Sequence, residues 1–319
     1  MKIIFMTILL FGLTAAGCSA QVTNNSNANR ATPNPEKTAA RQTVELEKQI
    51  AEIASAAKGR VGVKAEILET GEAVSLLENE RFPMQSVYKL PIGMAVLKRV
   101  DEGKLKLDEK IRVEKSDFVE RGMLSPLRDN NPDGTEVTVA ELLRLAVSVS
   151  DGTASDVLLK LAGGAAAVQS FLGEIKVGDV TVLNPEKDFS KDWQMQYRNW
   201  ATPAGAVELL RAVQEKRGLS AESNALLVKF LTETKTKPNR LKGLLPAGTI
   251  VAHKTGSSGS RNGITAATND IGIMTLPNGN HLAIAVFVSD SPADEKTREE
   301  VIAKIARAVW DKWGKEYGN

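Results

Sequence analysis

The sequence predicts a mixed α/β molecule of the α+β kind, an antiparallel β-sheet flanked by helices with an all-α lobe inserted between its strands. Three observations lead there. Runs with strand character lie near both ends of the folded part, around residues 61–77 and 250–288. The residues between them carry apolar positions at helical spacing. A helical stretch precedes the first strands and another follows the last, so each can cover the sheet. A sheet built from both ends of the chain and interrupted by a helical lobe leaves a crevice where the lobes meet, which is the expected place for a site.

The chain opens on Met1-Lys2 and a mostly apolar run from Ile3 to Gly17. That run is too short to span a bilayer comfortably and suits an export signal, so residues 1–20 read as a signal peptide. The sole cysteine, Cys18, follows at once in Leu13-Thr14-Ala15-Ala16-Gly17-Cys18. This resembles a bacterial lipoprotein cleavage box with Cys18 as the lipidated first residue. Ordinary cleavage after Ala20 is the competing reading. Either way the mature protein is expected to be exported, in the periplasm or anchored to a membrane by lipid, and to lack a disulfide.

Residues 21–41 are rich in Asn, Ala, Thr and Pro, have no apolar periodicity, and read as a flexible tether. The folded domain is expected over 42–319, with a sheet lobe at 42–85 and 233–319 and a helical lobe at 86–232. Val44, Leu46, Ile50, Ile53 and Ala57 predict an amphipathic helix over Thr43–Ala57. Val61–Leu68 and Ala73–Leu77 flank Glu69-Thr70-Gly71-Glu72 and predict a hairpin. Helices are predicted at Val87–Asp101, Val139–Val149, Ala154–Leu161, Ala165–Leu172, Pro203–Glu215 and Ala221–Thr232. Strands return at Ile250–Thr255, Ile271–Leu276 and Leu282–Val288, with a turn at Pro277-Asn278-Gly279-Asn280. Ala293–Trp313 closes the chain as a helix.

Composition narrows the function classes. A net charge of +2 without a Lys or Arg run gives no argument for nucleic acid as a partner. The chain has two histidines, His253 and His281, and one cysteine. A zinc site needs three or four such ligands, so no metal or other cofactor is expected. His253 lies beside Lys254 in an apolar run and reads as a strand residue rather than a catalytic base. Nothing in the sequence demands more than a monomer.

Four short stretches carry chemistry: Ser86-Val87-Tyr88-Lys89, Ser150-Asp151-Gly152, Glu186, and Lys254-Thr255-Gly256. A serine hydroxyl is a weak nucleophile until a base takes its proton. Lys89 stands one helical turn beyond Ser86, so both side chains can project from one face. A second hydroxyl at Ser150 can relay a proton to a leaving nitrogen. Lys254 supplies positive charge where a substrate carboxylate would dock. Each motif is common alone. In this order they form the set found in serine enzymes that open β-lactams or cross-link peptidoglycan.

From about residue 42 to its end the chain resembles class A serine β-lactamases, most of all the extended-spectrum branch that includes the PER and VEB enzymes. The resemblance rests on Gln85–Lys89, Gln196-Tyr197-Arg198-Asn199-Trp200, Arg240–Pro246, Ala252–Gly259 and Ala266–Asp270. It implies a β-lactamase/transpeptidase-like fold and hydrolysis of penicillins or cephalosporins through a serine acyl-enzyme, an activity that confers antibiotic resistance. It also implies roles: Ser86 as nucleophile, Lys89 as its proton acceptor, Ser150 as proton donor to the β-lactam nitrogen, and Glu186 as the base that activates the deacylating water. Lys254, Thr255 and Ser257 would bind the substrate carboxylate, and Arg240 would add positive charge there. The backbone N–H groups of Ser86 and Ser257 would form the oxyanion hole.

The sequence departs from the family pattern in places. Gly152 replaces the usual asparagine of Ser-Asp-Asn, which removes a carboxamide expected to hold the substrate's amide; restoring it with Gly152→Asn is expected to improve binding. Glu-x-x-Leu-Asn becomes Glu186-Lys187-Asp188-Phe189-Ser190. The ion pair that commonly braces this loop falls on Asn184 and Asn199, which cannot pair as opposite charges. Gln85 and Ser258 stand where some carbapenem-hydrolysing members have a disulfide. The alternative reading is a D-Ala-D-Ala carboxypeptidase or transpeptidase, which shares the serine, the lysine and Lys-Thr-Gly but lacks a placed base for water. A catalytically dead binding protein is a third. Glu186 discriminates between the first two, with Asp188 as the rival carboxylate, and the intact Ser86, Lys89, Ser150 and Lys254 argue against the third.

Overall fold

The computed structural model describes residues 35–316. The signal peptide, Cys18 and most of the expected tether lie outside them. Helix α1 (Pro35–Ser55) begins inside the expected tether rather than at Thr43. Proline suits a first helical turn and Ala39-Ala40 favour helix by propensity, a weaker signal than the apolar stripe that begins at Val44. Strands β1 (Arg60–Ile67) and β2 (Ala73–Leu76) form the predicted hairpin. After a short β3 (Phe82–Pro83), a 3₁₀ turn over Gln85–Tyr88 leads into α2 (Lys89–Asp101).

The inserted lobe is mainly helical but also carries two small ladders absent from the sequence reading. Strand β4 (Lys110–Val113) precedes α3 (Pro126–Asn130) and pairs with β5 (Thr135–Thr138). Helix α4 (Val139–Arg144) loosens into a π turn at Leu145–Val149, followed by α5 (Gly152–Leu161) and α6 (Ala165–Glu174). Strands β6 (Val180–Thr181) and β7 (Trp200–Ala201) bracket a loop holding 3₁₀ turns at Glu186–Ser190 and Trp193–Tyr197. β7 lies between β3 and β6. Such two-residue strands are too short to show alternation in sequence. Helices α7 (Pro203–Gln214) and α8 (Ala221–Thr232) complete the lobe; Thr202 and Ser220 cap their first turns.

The chain then returns to the sheet through β8 (Val251–Ser257), β9 (Ser260–Arg261), β10 (Ile264–Thr275) and β11 (His281–Ser291), and ends in α9 (Glu295–Glu316). The antiparallel order is β2-β1-β11-β10-β8, with β9 added on β10. Along β11, Leu282, Ile284, Val286 and Val288 join the core beneath α1 and α9, whereas Ala283, Ala285 and Phe287 join the core shared with the helical lobe. This is the period-two alternation of a strand buried on both faces. β10 begins at Ile264, well before the predicted Ile271. Its first half mixes alanines with Thr265, Thr268 and Asn269, and tertiary partners take up the Asn269 amide nitrogen: Nδ2 donates to the Pro83 and Met84 carbonyls at 2.7 and 3.1 Å.

Candidate active site

Ser86 sits in the 3₁₀ turn that opens α2. The turn is held from three sides. Gln85, in the left-handed region at φ 48°, donates its amide to Gln196 Oε1 at 2.8 Å across the crevice. The Met84 N–H donates to the Asn199 carbonyl at 2.9 Å. Strand β8 presses against the turn at Gly256, where a Cβ would stand 2.4 Å from the Met84 carbonyl. Only glycine permits that approach.

Lys89 is 1% exposed, and its ammonium is fully engaged. Nζ donates to Ser86 Oγ and to the Ser150 carbonyl, each at 2.8 Å, and lies 3.0 Å from Glu186 Oε2. A buried cation needs such partners. Ser150 ends the π turn at φ 68°, and its Oγ accepts from Lys254 Nζ at 2.6 Å. Lys254 is wholly buried; burial first, and then the nearby Lys89 cation, push its ammonium well below the ordinary lysine range. Asp151 of the same motif is structural. It caps α5 through Ala154 N–H and accepts from Ser125 Oγ and the Leu127 N–H, tying α3 to α5.

Glu186 reaches the crevice from the loop between β6 and β7. Asp156 of α5 pins it by accepting from the Glu186 and Lys187 N–H groups at 2.6 and 3.0 Å. Burial raises the Asp156 carboxyl from 3.8 to about 6, against the lowering effect of those two hydrogen bonds. Asn184 and Asn199 brace the loop without opposite charges. Asn199 Oδ1 accepts from the Leu183 and Asn184 N–H groups at 2.8 and 2.9 Å, and its amide donates to the Asn184 carbonyl at 2.8 Å. Asp188 turns outward to Lys191 and Asn184, which hold its carboxyl below the usual range.

The crevice encloses about 700 Å³ and is lined by Ser86, Ser150, Glu186, Thr255 and Ser257, with Phe189 on one wall. Thr255 Oγ1 lies 2.7 Å from Thr236 Oγ1. Arg240 does not line this space. Its guanidinium is 1% exposed and donates to Glu299, to the Gly256 and Asn269 carbonyls, and to Ser257 Oγ at 2.7 Å. The expected free positive charge is therefore spent inside the protein, and Arg240 acts on the crevice by orienting the Ser257 hydroxyl. His253 is buried and faces Asp270.

Gly152 also differs from expectation. A Cβ there would meet Glu186 Cγ at 3.1 Å and both Val119 methyls at 3.3 Å. A side chain there needs these neighbours to give by a few tenths of an ångström, so a simple gain from Gly152→Asn does not follow.

The constellation Ser86–Lys89–Ser150–Lys254, with Glu186 against the same lysine, makes a specific comparison possible. Residues 45–313 match the model of the Beta-lactamase enzyme family. The chain belongs to that family. This β-lactamase is 42% identical over 265 residues to the extended-spectrum β-lactamase PER-1 of Pseudomonas aeruginosa, covering 83% of this chain and 86% of the relative. It is 40% identical over 272 residues to β-lactamase VEB-1 of the same organism, covering 85% and 91%. Among solved structures it is similar to the TLA-1 extended-spectrum β-lactamase, with a TM-score of 0.82, 42% identity, and coverage of 85% and 99%. A β-lactamase from Chitinophaga pinensis gives a TM-score of 0.82 at 44% identity, covering 84% and 99%.

Sequence reasoning on this β-lactamase missed Tyr88, Asp156, Thr236 and the Gln85–Gln196 latch as parts of the site. Tyr88 is inside the first motif, but nothing in the sequence links it to Glu186, 98 residues away. Asp156 is one acidic residue in an amphipathic helix, and no local pattern marks it.

Proposed function

We propose that the enzyme opens β-lactams in two half-reactions, acylation at Ser86 and hydrolysis directed by Glu186. In the first, Ser86 Oγ attacks the lactam carbonyl and its proton passes to Glu186, or to Lys89 once Lys89 has given a proton to Glu186. The Ser86 and Ser257 N–H groups, the former at the foot of α2, would receive the developing oxyanion. As the C–N bond breaks, Ser150 gives its proton to the lactam nitrogen and is reprotonated by the one taken from Ser86, which leaves Glu186 a carboxylate again; Lys254, at 2.6 Å from Ser150 Oγ, supports that transfer. Thr255, Ser257 and the Lys254 charge suit a substrate carboxylate.

In the second half-reaction Glu186 takes a proton from water, the hydroxide attacks the ester, and Ser86 leaves with a proton. One observation carries this reading. The Glu186 carboxylate opens on the same crevice as Ser86 and stands 3.0 Å from the lysine that contacts it. A D-Ala-D-Ala carboxypeptidase or transpeptidase has no need of that carboxylate. The extended-spectrum names of PER-1 and TLA-1 support a broad panel of penicillins and cephalosporins as the first substrates to try.

Mass spectrometry of two variants mixed with a cephalosporin tests the division of labour. Ser86→Ala is expected to form no adduct. Glu186→Ala is expected to be acylated and then to stall, losing on the order of 10²–10⁴-fold in deacylation, the usual worth of a positioned base. Normal turnover by Glu186→Ala, with no trapped adduct, would remove Glu186 from this role. Residues 1–20 and Cys18 support a further reading, an enzyme exported and held to a membrane by lipid at Cys18.

A further inference from the structure

Tyr88 lies between the nucleophile and its lysine, and the reaction outlined above gives it no task. Its ring is fully buried and meets Phe189 edge-on, with centroids 5.9 Å apart at 75°. Its hydroxyl donates to Glu186 Oε2 at 2.7 Å, the same oxygen that Lys89 Nζ approaches at 3.0 Å. Two donors therefore converge on Oε2 and leave Oε1 to meet a water. A hydrogen bond donated to a carboxylate favours its charged form and lowers its basicity.

We propose that Tyr88 is a positioning residue for the deacylating base, holding Oε2 together with Lys89 so that the other Glu186 oxygen faces water. This rests on the reading of Glu186 as that base. Burial, and then the negative charges of Glu186 and Asp156, push the phenol well above its ordinary range, so it stays protonated and remains a donor. The other charged groups around Glu186 are Lys89 on α2, Asp156 on α5, Lys254 on β8, and Lys187 and Asp188 on its own turn.

The test is Tyr88→Phe in the full chain, which keeps the ring and its contact with Phe189 and removes only the donor. Single-turnover acylation and deacylation with a cephalosporin are followed separately, in Tyr88→Phe and in Phe189→Ala, which loosens the packing of the ring and keeps its hydroxyl. Tyr88→Phe is expected to slow deacylation by about tenfold, the worth of one charge-assisted hydrogen bond, and to change the acylation rate by less than about threefold. A role in packing alone would slow both half-reactions, and Phe189→Ala more than Tyr88→Phe. Unchanged deacylation in Tyr88→Phe, or an equal loss in both half-reactions, would overturn the proposal. Glu186→Gln serves as the control. If it deacylates normally, the reading of Glu186 fails, whatever Tyr88→Phe does.

Discussion

At the scale of single residues, two positions set the environment of Glu186. Tyr88 adds a donor to its carboxylate, and Gly152 leaves room that Val119 and the Glu186 stem fill. A side chain at 152 must push one of them aside, because contacts of 3.1 and 3.3 Å are tighter than ordinary carbon packing. Gly152→Asn alone is therefore expected to lower kcat for a good cephalosporin by about tenfold, equivalent to about 1.4 kcal/mol, by displacing Glu186. Pairing it with Val119→Ala is expected to recover most of that loss. Steady-state kinetics on both variants check this, and a kcat/KM raised by Gly152→Asn alone would count against the crowding argument. Arg240 shows the same principle from the other side. An arginine near a substrate pocket need not touch substrate; four partners hold this one, and only Ser257 carries its influence outward.

At the scale of elements, the loop between β6 and β7 has to hold Glu186 without a salt bridge at its base. Asn199 does this with three hydrogen bonds to the Leu183–Asn184 backbone, all within protein. Asn199→Ala would leave two N–H groups and a carbonyl without these partners. Each buried orphan costs about 1–3 kcal/mol. The expected outcome is a lower urea midpoint together with slowed deacylation, while acylation at Ser86 keeps most of its rate. Equal loss in both half-reactions would mean that Asn199 also holds the Ser86 turn, to which its carbonyl is bonded through the Met84 N–H. Helix α5 contributes at the same level: Asp151 caps its first turn and Asp156 receives the Glu186 loop, so one short helix aligns Ser150 with the base.

At the scale of the molecule, both ends of the described chain close one sheet. Strand β1 lies against β11, and α1 packs with α9 over the same face. The helical lobe contributes Ser86, Ser150 and Glu186, the sheet contributes Thr255 and Ser257, and the crevice exists only where the two meet. Before α1 lie residues 1–20, the proposed export signal, with Cys18 of the lipid-anchor proposal among them. Cys18→Ala is expected to shift the enzyme from the membrane fraction to the soluble fraction or to block its processing. A mature form that starts at Gln21 and fractionates identically in both versions would exclude the anchor. Activity per folded molecule should be unchanged, since Cys18 precedes the whole family match at 45–313.

The sequence by itself determined the outline of this protein. Helical spacing in the middle and strand runs at the ends predicted the two-lobe arrangement, because a core-facing side must repeat with the period of its element. Ordered motifs pointed to Ser86, Lys89, Ser150 and Lys254, because Ser86 and Lys89 stand one helical turn apart and the other two lie in short motifs that follow in a fixed order along the chain. Tertiary structure decided what local pattern cannot encode. Strands of two residues form only where a neighbour supplies the other half of the ladder. Polar Asn269 and Asp270 can sit inside β10 because distant groups pair with the Asn269 amide nitrogen and the Asp270 carboxylate. The hydroxyl of Tyr88 finds Glu186, and the charge of Arg240 is consumed within the protein, through contacts between segments far apart in the chain. Those contacts depend on how the lobes pack, and packing distances are not written in the spacing of residues along one strand or helix.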